Sequence, residues 1–325
     1  MWKRGRVKMV EWLAGNRIRG TDSEKTHLVN ITDPVTSYGN SVKNENGGVT
    51  GYDTYTYLTP STSSLITNNS CTVEVLLVGG GGSGGGNSGS GGGGGTVTQL
   101  NSFTLPAGNH SVVVADYRTT TNSGYSGVTG NSSSFYGTTA TGGAAGGGAS
   151  NSCDGGAGAG GAGVNSSGAV GGAGGVGIQI TDFEHTDYYY GGGGGGAGNP
   201  SSSGTGNGGN GGSGGGGGGS IGPWSRPVGA GGTGGRNDGI GSQNGMGYNC
   251  HGGNGGANTG GGGGGSKQPC NTHLTNQLAK GGSGIVVIRI ATQDLLPIDV
   301  PDGSIFYATD TNKEYVLYNN VWSEL

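Results

Sequence analysis

The feature that most constrains this chain is a glycine-rich block, from about Val78 to Gly284, that begins and ends directly on runs of β-branched residues. The run 72–78 (TVEVLLV) passes into the first glycines without a turn signal, and the last glycine is followed at once by 285–290 (IVVIRI). Runs of this length and composition predict half-buried or buried strands. A flexible linker would join two complete domains, whereas here two strands without a complete core of their own bracket the glycines. We therefore predict one domain, with strands as its base and the glycine tracts as an ordered insertion.

Composition limits the form that this insertion can take. The chain has 85 glycines and 9 prolines among 325 residues, a proportion usually seen in low-complexity disorder. Collagen is excluded because prolines are few and glycine does not recur at every third position. The remaining ordered form is packed polyglycine II, whose helices have about three residues per turn and no internal hydrogen bonds. Their N–H and C=O groups must find partners on neighbouring helices, and only glycine lets backbones approach from every side.

Charge and hydropathy argue against several partners. The formal net charge of −4 favours neither a nucleic-acid nor a membrane partner. No apolar run reaches the roughly 18 residues that a spanning helix needs, so we expect no membrane insertion. The first nine residues (MWKRGRVKM) are basic but no apolar stretch follows them, so we expect no secretory signal.

Three segments differ in composition. Residues 1–29 form a polar and basic head, which is either a frayed terminus or a docking segment that uses Trp12, Arg17 and Arg19. Residues 30–293 form the glycine-rich domain. Residues 294–325 predict a β-hairpin that is too small to stand alone, with Trp322 trailing its second strand, and we expect it to pack on another chain or on the glycine-rich domain.

The predicted fold is mainly β. Period-two alternation or short apolar runs predict strands at 52–58, 72–78, 96–105, 111–115, 176–181 and 285–291. These strands suffice for an antiparallel sandwich of jelly-roll type that carries an inserted polyglycine II bundle.

Chemically richer segments alternate with the glycine tracts. If the tracts are rods of similar length, these segments are the turns at one or both ends of a bundle, where binding residues usually lie. They are Tyr117–Tyr136, Asp182–Tyr190, Ile221–Val228, Arg236–His251 and Ser266–Lys280.

Aromatic and basic residues in these segments are the predicted receptor contacts, since Tyr, Trp and Arg typify binding hot spots. The segment 182–190 (DFEHTDYYY) could instead be a solvated turn or a cation site that uses its carboxylates, and Trp224 could instead pack in a core. The receptor-binding candidates are Tyr125, His185, Tyr188, Tyr189, Tyr190, Trp224, Arg226 and Tyr248.

The four cysteines, at 71, 153, 250 and 270, leave three alternatives open. Cys250 and Cys270 could form a disulfide between adjacent rod ends, or the thiols could be unpaired. A zinc site from Cys250, His251, Cys270 and His273 has suitable ligands but irregular spacing, and we predict no metal and no cofactor.

Sequence motifs do not favour an enzyme. The glycines after Val78 fit a dinucleotide fingerprint, but no helix follows to hold a pyrophosphate. No phosphate-binding G-x-x-x-x-G-K-[ST] is present. Asp182, Glu184 and Asp187 have no paired nucleophile, so we expect no catalysis.

The two ends of the glycine block resemble the glycine-rich domain family that is common in phage and environmental viral proteins. The resemblance is carried by VEVLLVGGGG at 73–82 and by GGSGIVVIR at 281–289. The plan is similar to that of adhesins on the long tail fibres of T-even-like phages, and to that of the glycine-rich domain of anaplastic lymphoma kinase. The segment 303–322 resembles short hairpins of phage fibre proteins, and 12–21 resembles the openings of marine viral fibre proteins.

This resemblance implies a function on a virion. It implies a fibre or adhesin protein that binds a host surface glycan or outer-membrane protein through loops at the rod ends, together with other virion fibre or tail proteins and possibly further copies of itself. A structural decoration or filament subunit without catalytic activity is the alternative.

Overall fold

The computed structural model describes most of the glycine-rich domain and parts of both termini. The described residues are 17–19, 28–30, 34–44, 52–118, 125–148, 153–184, 186–199, 206–221, 227–242, 251–267, 278–291, 302–303, 305–308, 313–319 and 321–324.

Every regular element in these ranges is a β-strand. The strands are β1 (Arg17–Arg19), β2 (Leu28–Asn30), β3 (Val35–Ser37), β4 (Val42–Asn44), β5 (Tyr52–Tyr57), β6 (Thr62–Thr67), β7 (Cys71–Val78), β8 (Val97–Leu105), β9 (Gly108–Val113), β10 (Ser133–Phe135), β11 (Thr138–Ala140), β12 (Ile178–Ile180), β13 (Tyr188–Tyr190), β14 (Ile285–Ala291), β15 (Ile305–Ala308), β16 (Lys313–Tyr318) and β17 (Val321–Glu324).

Two five-stranded antiparallel sheets form a sandwich. One sheet has the order β11-β10-β9-β6-β3 and the other has the order β4-β5-β14-β7-β8. The flanking runs of the glycine block, β7 and β14, are adjacent, with Val78 opposite Ile285. The chain therefore leaves the sandwich and returns to it at the same end of two neighbouring strands, as an insertion requires.

Side-chain alternation along β7 and β14 supplies two cores. Side chains of a strand point alternately to opposite faces, and Val75 and Ile288 face the other sheet. Leu76 and Val287 point to the outer face. That face is covered by the hairpin of β12 and β13, so all seven residues of β14 are buried.

The predicted fold class is confirmed: the described elements are antiparallel β-sheets in a sandwich-like arrangement. All six predicted strands occur, although the strand predicted at 111–115 begins three residues earlier, at Gly108. Short or polar strands were not predicted, among them β6 (TSSLIT) and β10 (SSF). Their positions in the sheet are set by pairing with β9, and their own composition carries little strand signal.

Both terminal segments contain strands. The predicted C-terminal hairpin is confirmed as β15 and β16, and β17 with Trp322 adds a third strand. In the head, β1 is extended and pairs with β2, so that Arg17 lies opposite Asn30.

The glycine tracts form rods with the three-residue period of polyglycine II. Along the first rod, 79–86, backbone N–H groups three residues apart donate to the same neighbouring segment. The rod therefore bonds to three segments in turn. The first segment is 90–96, where Thr96, Gly93 and Ser90 accept from Gly79, Gly82 and Gly85. The second is 125–131, where Asn131, Val128 and Tyr125 accept from Gly80, Ser83 and Gly86. The third is 279–282, where Gly282 and Ala279 accept from Gly81 and Gly84. Hydrogen bonds between rods thus replace those that a polyglycine II helix cannot make internally.

Close backbone contact explains why the tracts are glycine. A Cβ on Gly84 would lie 2.0 Å from the Gly264 carbonyl oxygen, and one on Gly194 would lie 2.1 Å from the Gly263 oxygen. The Cα hydrogens therefore face neighbouring carbonyl groups, in the geometry of Cα–H···O contacts. We call the packed rods the glycine bundle, and its tracts are 79–96, 125–131, 142–148, 153–177, 191–199, 206–221, 227–242, 251–267 and 278–284.

Within the described ranges, no helical segment has the length and the apolar character needed to cross a membrane.

Candidate functional site

The glycine bundle has one end at the sandwich and one end away from it, which we call the distal end. The first rod leaves β7, turns at Asn87 and Ser88, and returns to β8. Both turn residues have positive φ, 54° and 61°, as a two-residue turn between antiparallel segments requires. Gly85 donates to the Ser90 carbonyl oxygen across the turn at 2.9 Å. This turn marks the distal end.

Other rods reach the same end, because they bond to residues beside this turn. Gly86 donates to the Tyr125 carbonyl oxygen, Ala197 donates to that of Gly89, and Ser266 donates to that of Gly85. By the same rod-to-rod pairing, several described residues next to connecting segments lie at this end. They are Tyr125, Gly148, Cys153, Asn199, Gly206, Ile221, Pro227, Ser242, His251, Lys267 and Leu278.

A polar cluster lies at the distal end around Lys267. Its ammonium donates to the Ser88 hydroxyl at 2.7 Å and to the amide oxygen of Asn199. Its backbone N–H donates to Ser220 Oγ at 3.0 Å. Burial of the ammonium lowers the pKa of Lys267 below its usual value, and the nearby Cys153 opposes this shift. The cluster therefore holds a partly desolvated cation.

Cys153 lies beneath this cluster. Its thiol is buried and donates to the Ser88 carbonyl oxygen at 3.5 Å. Burial raises the pKa of the Cys153 thiol, an effect that the Lys267 charge reduces. The thiol is therefore neutral near pH 7 and does not balance the lysine.

The pair of Ser88 and Lys267 resembles a serine–lysine dyad in distance, but the neighbouring described N–H groups are engaged elsewhere. Such a dyad needs donors for a developing oxyanion. The backbone N–H groups of Ser88 and Gly89 donate instead to the carbonyl oxygens of Lys267 and Ser266. What the described cluster offers is a cation with neutral polar neighbours, which suits binding.

The segment 182–190, predicted as a receptor-contact loop, packs at the sandwich end of the bundle. Tyr188–Tyr190 form β13, paired with β12. Tyr190 is buried at 1 % exposure, and its hydroxyl donates to Glu184, which also pairs with Arg236. Burial, and next the Glu184 charge, raise the pKa of Tyr190 well above its usual value. The prediction of a surface contact at Tyr190 is therefore wrong, because its ring fills the outer core.

A second ion pair anchors the same segment to the sandwich. Arg289 on β14 pairs with Glu74 on β7. Its guanidinium lies 4.3 Å from the Phe183 ring centroid and 4.5 Å from that of Tyr52, and it donates to the Asp182 carbonyl oxygen. Cation–π contacts of this kind add to the ion pair. The segment therefore closes the outer face of the sheet.

Two other candidate tyrosines lie at opposite ends of the bundle. Tyr189 is half-buried at the sandwich end, where its N–H donates to the Gly234 carbonyl oxygen. Tyr125 is 37 % exposed at the distal end. The rod 191–199 between these levels spans about 25 Å at roughly 3.1 Å per residue. The structure therefore does not bring Tyr125 together with the tyrosines of β13.

Several predictions concern residues outside those described, namely His185, Trp224, Arg226, Tyr248 and Trp12, the Cys250–Cys270 disulfide, and the zinc site with His273. For Arg17 and Arg19 the structure gives the backbone strand alone, and Trp322 lies half-buried on β17. Among the described residues, no three His, Cys, Asp or Glu side chains are grouped as a metal site would require.

The sequence analysis did not identify Lys267, Ser88 and Asn199 as a cluster. A signal was available, because Lys267 stands one residue after a run of glycines in a chain with 10 % charged residues. Ser88 and Asn199 are far away in sequence, and only rod packing brings them to the lysine.

A family model described as a glycine-rich domain matches residues 36–291, which is more than three quarters of the chain. The match begins within β3 and ends with the last residue of β14, so it covers the sandwich together with the bundle. No curated protein matches the chain.

Proposed function

Because the chain belongs to the glycine-rich domain family, we propose that it is a virion fibre or adhesin protein that binds a molecule on the host cell surface with the distal end of its glycine bundle. In this proposal the protein lies on the outside of the particle and performs no catalysis. Other fibre or tail proteins, or further copies of the chain, hold its termini.

The observation that carries the proposal is the convergence of the rods at one end. The rods of this bundle bond to one another through successive backbone groups. Few backbone torsion angles therefore stay free to rotate. Turns on such a scaffold stay in fixed relative positions, which lowers the entropy cost of binding. The end at the sandwich is occupied by packing of the segment 182–190, so the distal end is the better surface for a partner.

The chemistry of the distal end supports recognition of a hydroxyl-rich partner. Between described residues of this end the sequence runs through 149–152 (ASNS), 200–205 (PSSSGT), 222–226 (GPWSR), 243–250 (QNGMGYNC) and 268–277 (QPCNTHLTNQ), and 119–124 (TTTNSG) precedes Tyr125. Hydroxyl and amide side chains predominate in them, with isolated aromatic residues. Adaptable polar groups beside a few rigid rings are typical of binding surfaces.

Attachment of the purified protein to host cells tests the proposal. We expect Tyr125→Ala to weaken attachment by more than about tenfold, as removal of a hot-spot tyrosine does, without lowering the melting temperature. Tyr38→Ala is the matched control, since Tyr38 is 39 % exposed but lies on the sandwich. Equal attachment of both variants and the parent protein would remove Tyr125 from the surface that we propose.

Electron microscopy of the particle separates the adhesin from the structural alternative. An epitope inserted after Gly168, at the exposed turn closed by the pairing of Ser167 with Val170, is accessible to a gold-labelled antibody. Label at fibre tips supports the adhesin. Label repeated over the shell or along a shaft would favour a decoration or filament subunit and contradict the proposed function.

A further inference from the structure

The ammonium of Lys267 lies at the distal end with two neutral acceptors. It donates to the Ser88 hydroxyl at 2.7 Å and to the Asn199 amide oxygen. An ammonium has three donors, so one is left beyond these two bonds to described residues. Lys267 is half-buried, and this third donor is within reach of a molecule at the bundle end.

No carboxylate balances this charge among the described residues. The ion pairs there belong to Lys43, Arg236 and Arg289. Asp154 follows Cys153 in the chain, and its carboxylate accepts from the Ser166 N–H at 2.7 Å.

The sequence at 119–124, 149–152, 200–205, 222–226, 243–250 and 268–277 contains no Asp or Glu. A partly desolvated cation without a paired charge costs free energy unless an anion meets it. The lowered pKa of Lys267, caused by burial, agrees with this uncompensated position.

We propose that Lys267, Ser88 and Asn199 form a subsite for an anionic group, a carboxylate or a phosphate, of the host-surface glycan. This subsite rests on the proposed function and gives the chemical class of its ligand. Lys267 donates to Ser88 Oγ and to Asn199 Oδ1, and among the described residues none accepts from the Ser88 hydroxyl or the Asn199 amide hydrogens. The cluster therefore offers three donor groups to one anion, in the manner of charge-assisted recognition.

The turn at Asn87 and Ser88 fixes the geometry of the subsite. Ser88 has φ of 61°, and its N–H donates to the Lys267 carbonyl oxygen at 2.7 Å. The hydroxyl and the lysine are thus tied through the backbone as well as through the side chains. A site held in this way needs little ordering when it binds.

Binding of polymers that differ in charge tests the subsite. The probes are a polygalacturonate oligomer for carboxylate, inorganic polyphosphate for phosphate, and neutral dextran, titrated calorimetrically into the full chain. We expect at least one anionic probe to bind and dextran to bind no better than buffer. The stronger of the two anionic probes identifies the class of anion.

Lys267→Gln should weaken binding of the anionic probe by about tenfold or more, which is the usual effect of losing a charged hydrogen bond. Lys280→Gln is the control, because the Lys280 ammonium lies 4.6 Å from the Tyr117 ring centroid and outside this cluster. Asn199→Ala, which keeps the cation but removes one donor, should weaken binding by a smaller factor. Anionic binding that is unchanged in Lys267→Gln, or equal to dextran binding, would overturn the subsite.

The two proposals fail in different ways. If Tyr125→Ala abolishes attachment to cells but Lys267→Gln does not alter attachment or polymer binding, the subsite is wrong and the adhesin stands. If the anionic probe binds through Lys267 but the protein does not attach to cells, the subsite stands and the adhesin is wrong.

Discussion

The Cα of Gly264 faces the carbonyl oxygen of Gly218 so closely that a methyl group on Gly264 would lie 2.0 Å from that oxygen. Both residues are buried in the bundle interior, and neither backbone can move away without breaking bonds to other rods. Gly264 itself donates to the Gly253 carbonyl oxygen at 2.9 Å. Packing of this kind leaves no room for a side chain at Gly264.

Gly264→Ala should therefore destabilise the protein by about 3 kcal/mol or more, since overpacking of a rigid interior usually costs 1–3 kcal/mol and here the clash is with backbone. Urea unfolding measures the loss. Gly241→Ala is the control, because a methyl group there would come no closer than 3.5 Å to the Gly229 oxygen. We expect that variant to stay within about 1 kcal/mol of the parent protein. A similar loss in both variants would contradict the packing argument.

Amide hydrogen exchange should distinguish the interior of the bundle from its turns. The amide of Gly194 donates to Gly92, and that of Gly264 donates across the turn at 257–260 to Gly253, each at 2.9 Å. We therefore expect their exchange to require cooperative opening of the bundle. Gly168, in an exposed turn, should exchange roughly a thousandfold faster or more, as expected for opening free energies above about 4 kcal/mol. Equal exchange rates would indicate independent rods.

Arg289→Met should destabilise the protein by about 3 kcal/mol, because it leaves the Glu74 carboxylate without its cation in a mostly buried position. The side chains of Arg289 and Glu74 are 11 % and 17 % exposed. The double variant Glu74→Leu with Arg289→Met should lose less than the sum of the two single variants, measured by urea unfolding. Additive losses would show that the two charges are not coupled.

Tyr190→Phe should change the alkaline limb of the stability curve. Burial and Glu184 raise the pKa of Tyr190 in the folded state, so the unfolded chain ionises first, near its usual pKa of about 10. This group's contribution is therefore constant below about pH 10 and is lost as the pH rises further, by up to about 1.4 kcal/mol per pH unit. The Tyr190→Phe curve should fall less steeply in that range.

Phe135→Leu is the control for this pH dependence, since Phe135 is buried at 1 % exposure and does not titrate. Chemical unfolding at pH values from 8 to about 11 gives the curves, and the Phe135→Leu curve should run parallel to that of the parent protein. A Tyr190→Phe curve that is also parallel would contradict the raised pKa.

Much of the fold could be predicted because its signals are local. The runs that became β7 and β14 are apolar and β-branched, and this composition predicts strands wherever they lie in a chain. Glycine tracts without proline indicated polyglycine II, since glycine alone permits such close packing. Strands such as β6 were missed because Thr and Ser at four of its six positions carry little signal, and pairing with β9 decides their conformation.

The binding residues were harder to predict. Tyrosines in a polar segment indicated an exposed loop, but the Tyr190 side chain on β13 packs into the core between this strand and the sheet of β7 and β14. The deciding fact is the apolar outer face of β14. Solvent would reach this face without a cover, and the segment 182–190 supplies that cover. Conversely, Lys267 gave no motif, because its partners Ser88 and Asn199 are 179 and 68 residues away in sequence.

The sequence by itself determined the strands at both ends of the glycine block, the antiparallel sandwich and the polyglycine form of the insertion. These follow from short-range rules about which residues tolerate extended or closely packed backbone. Only the tertiary structure decided which segment seals the sheet and which residues meet at the distal end. Rods of nearly equal length place distant turns side by side, and the direction in which each rod runs is set by hydrogen bonds between tracts that no local pattern encodes.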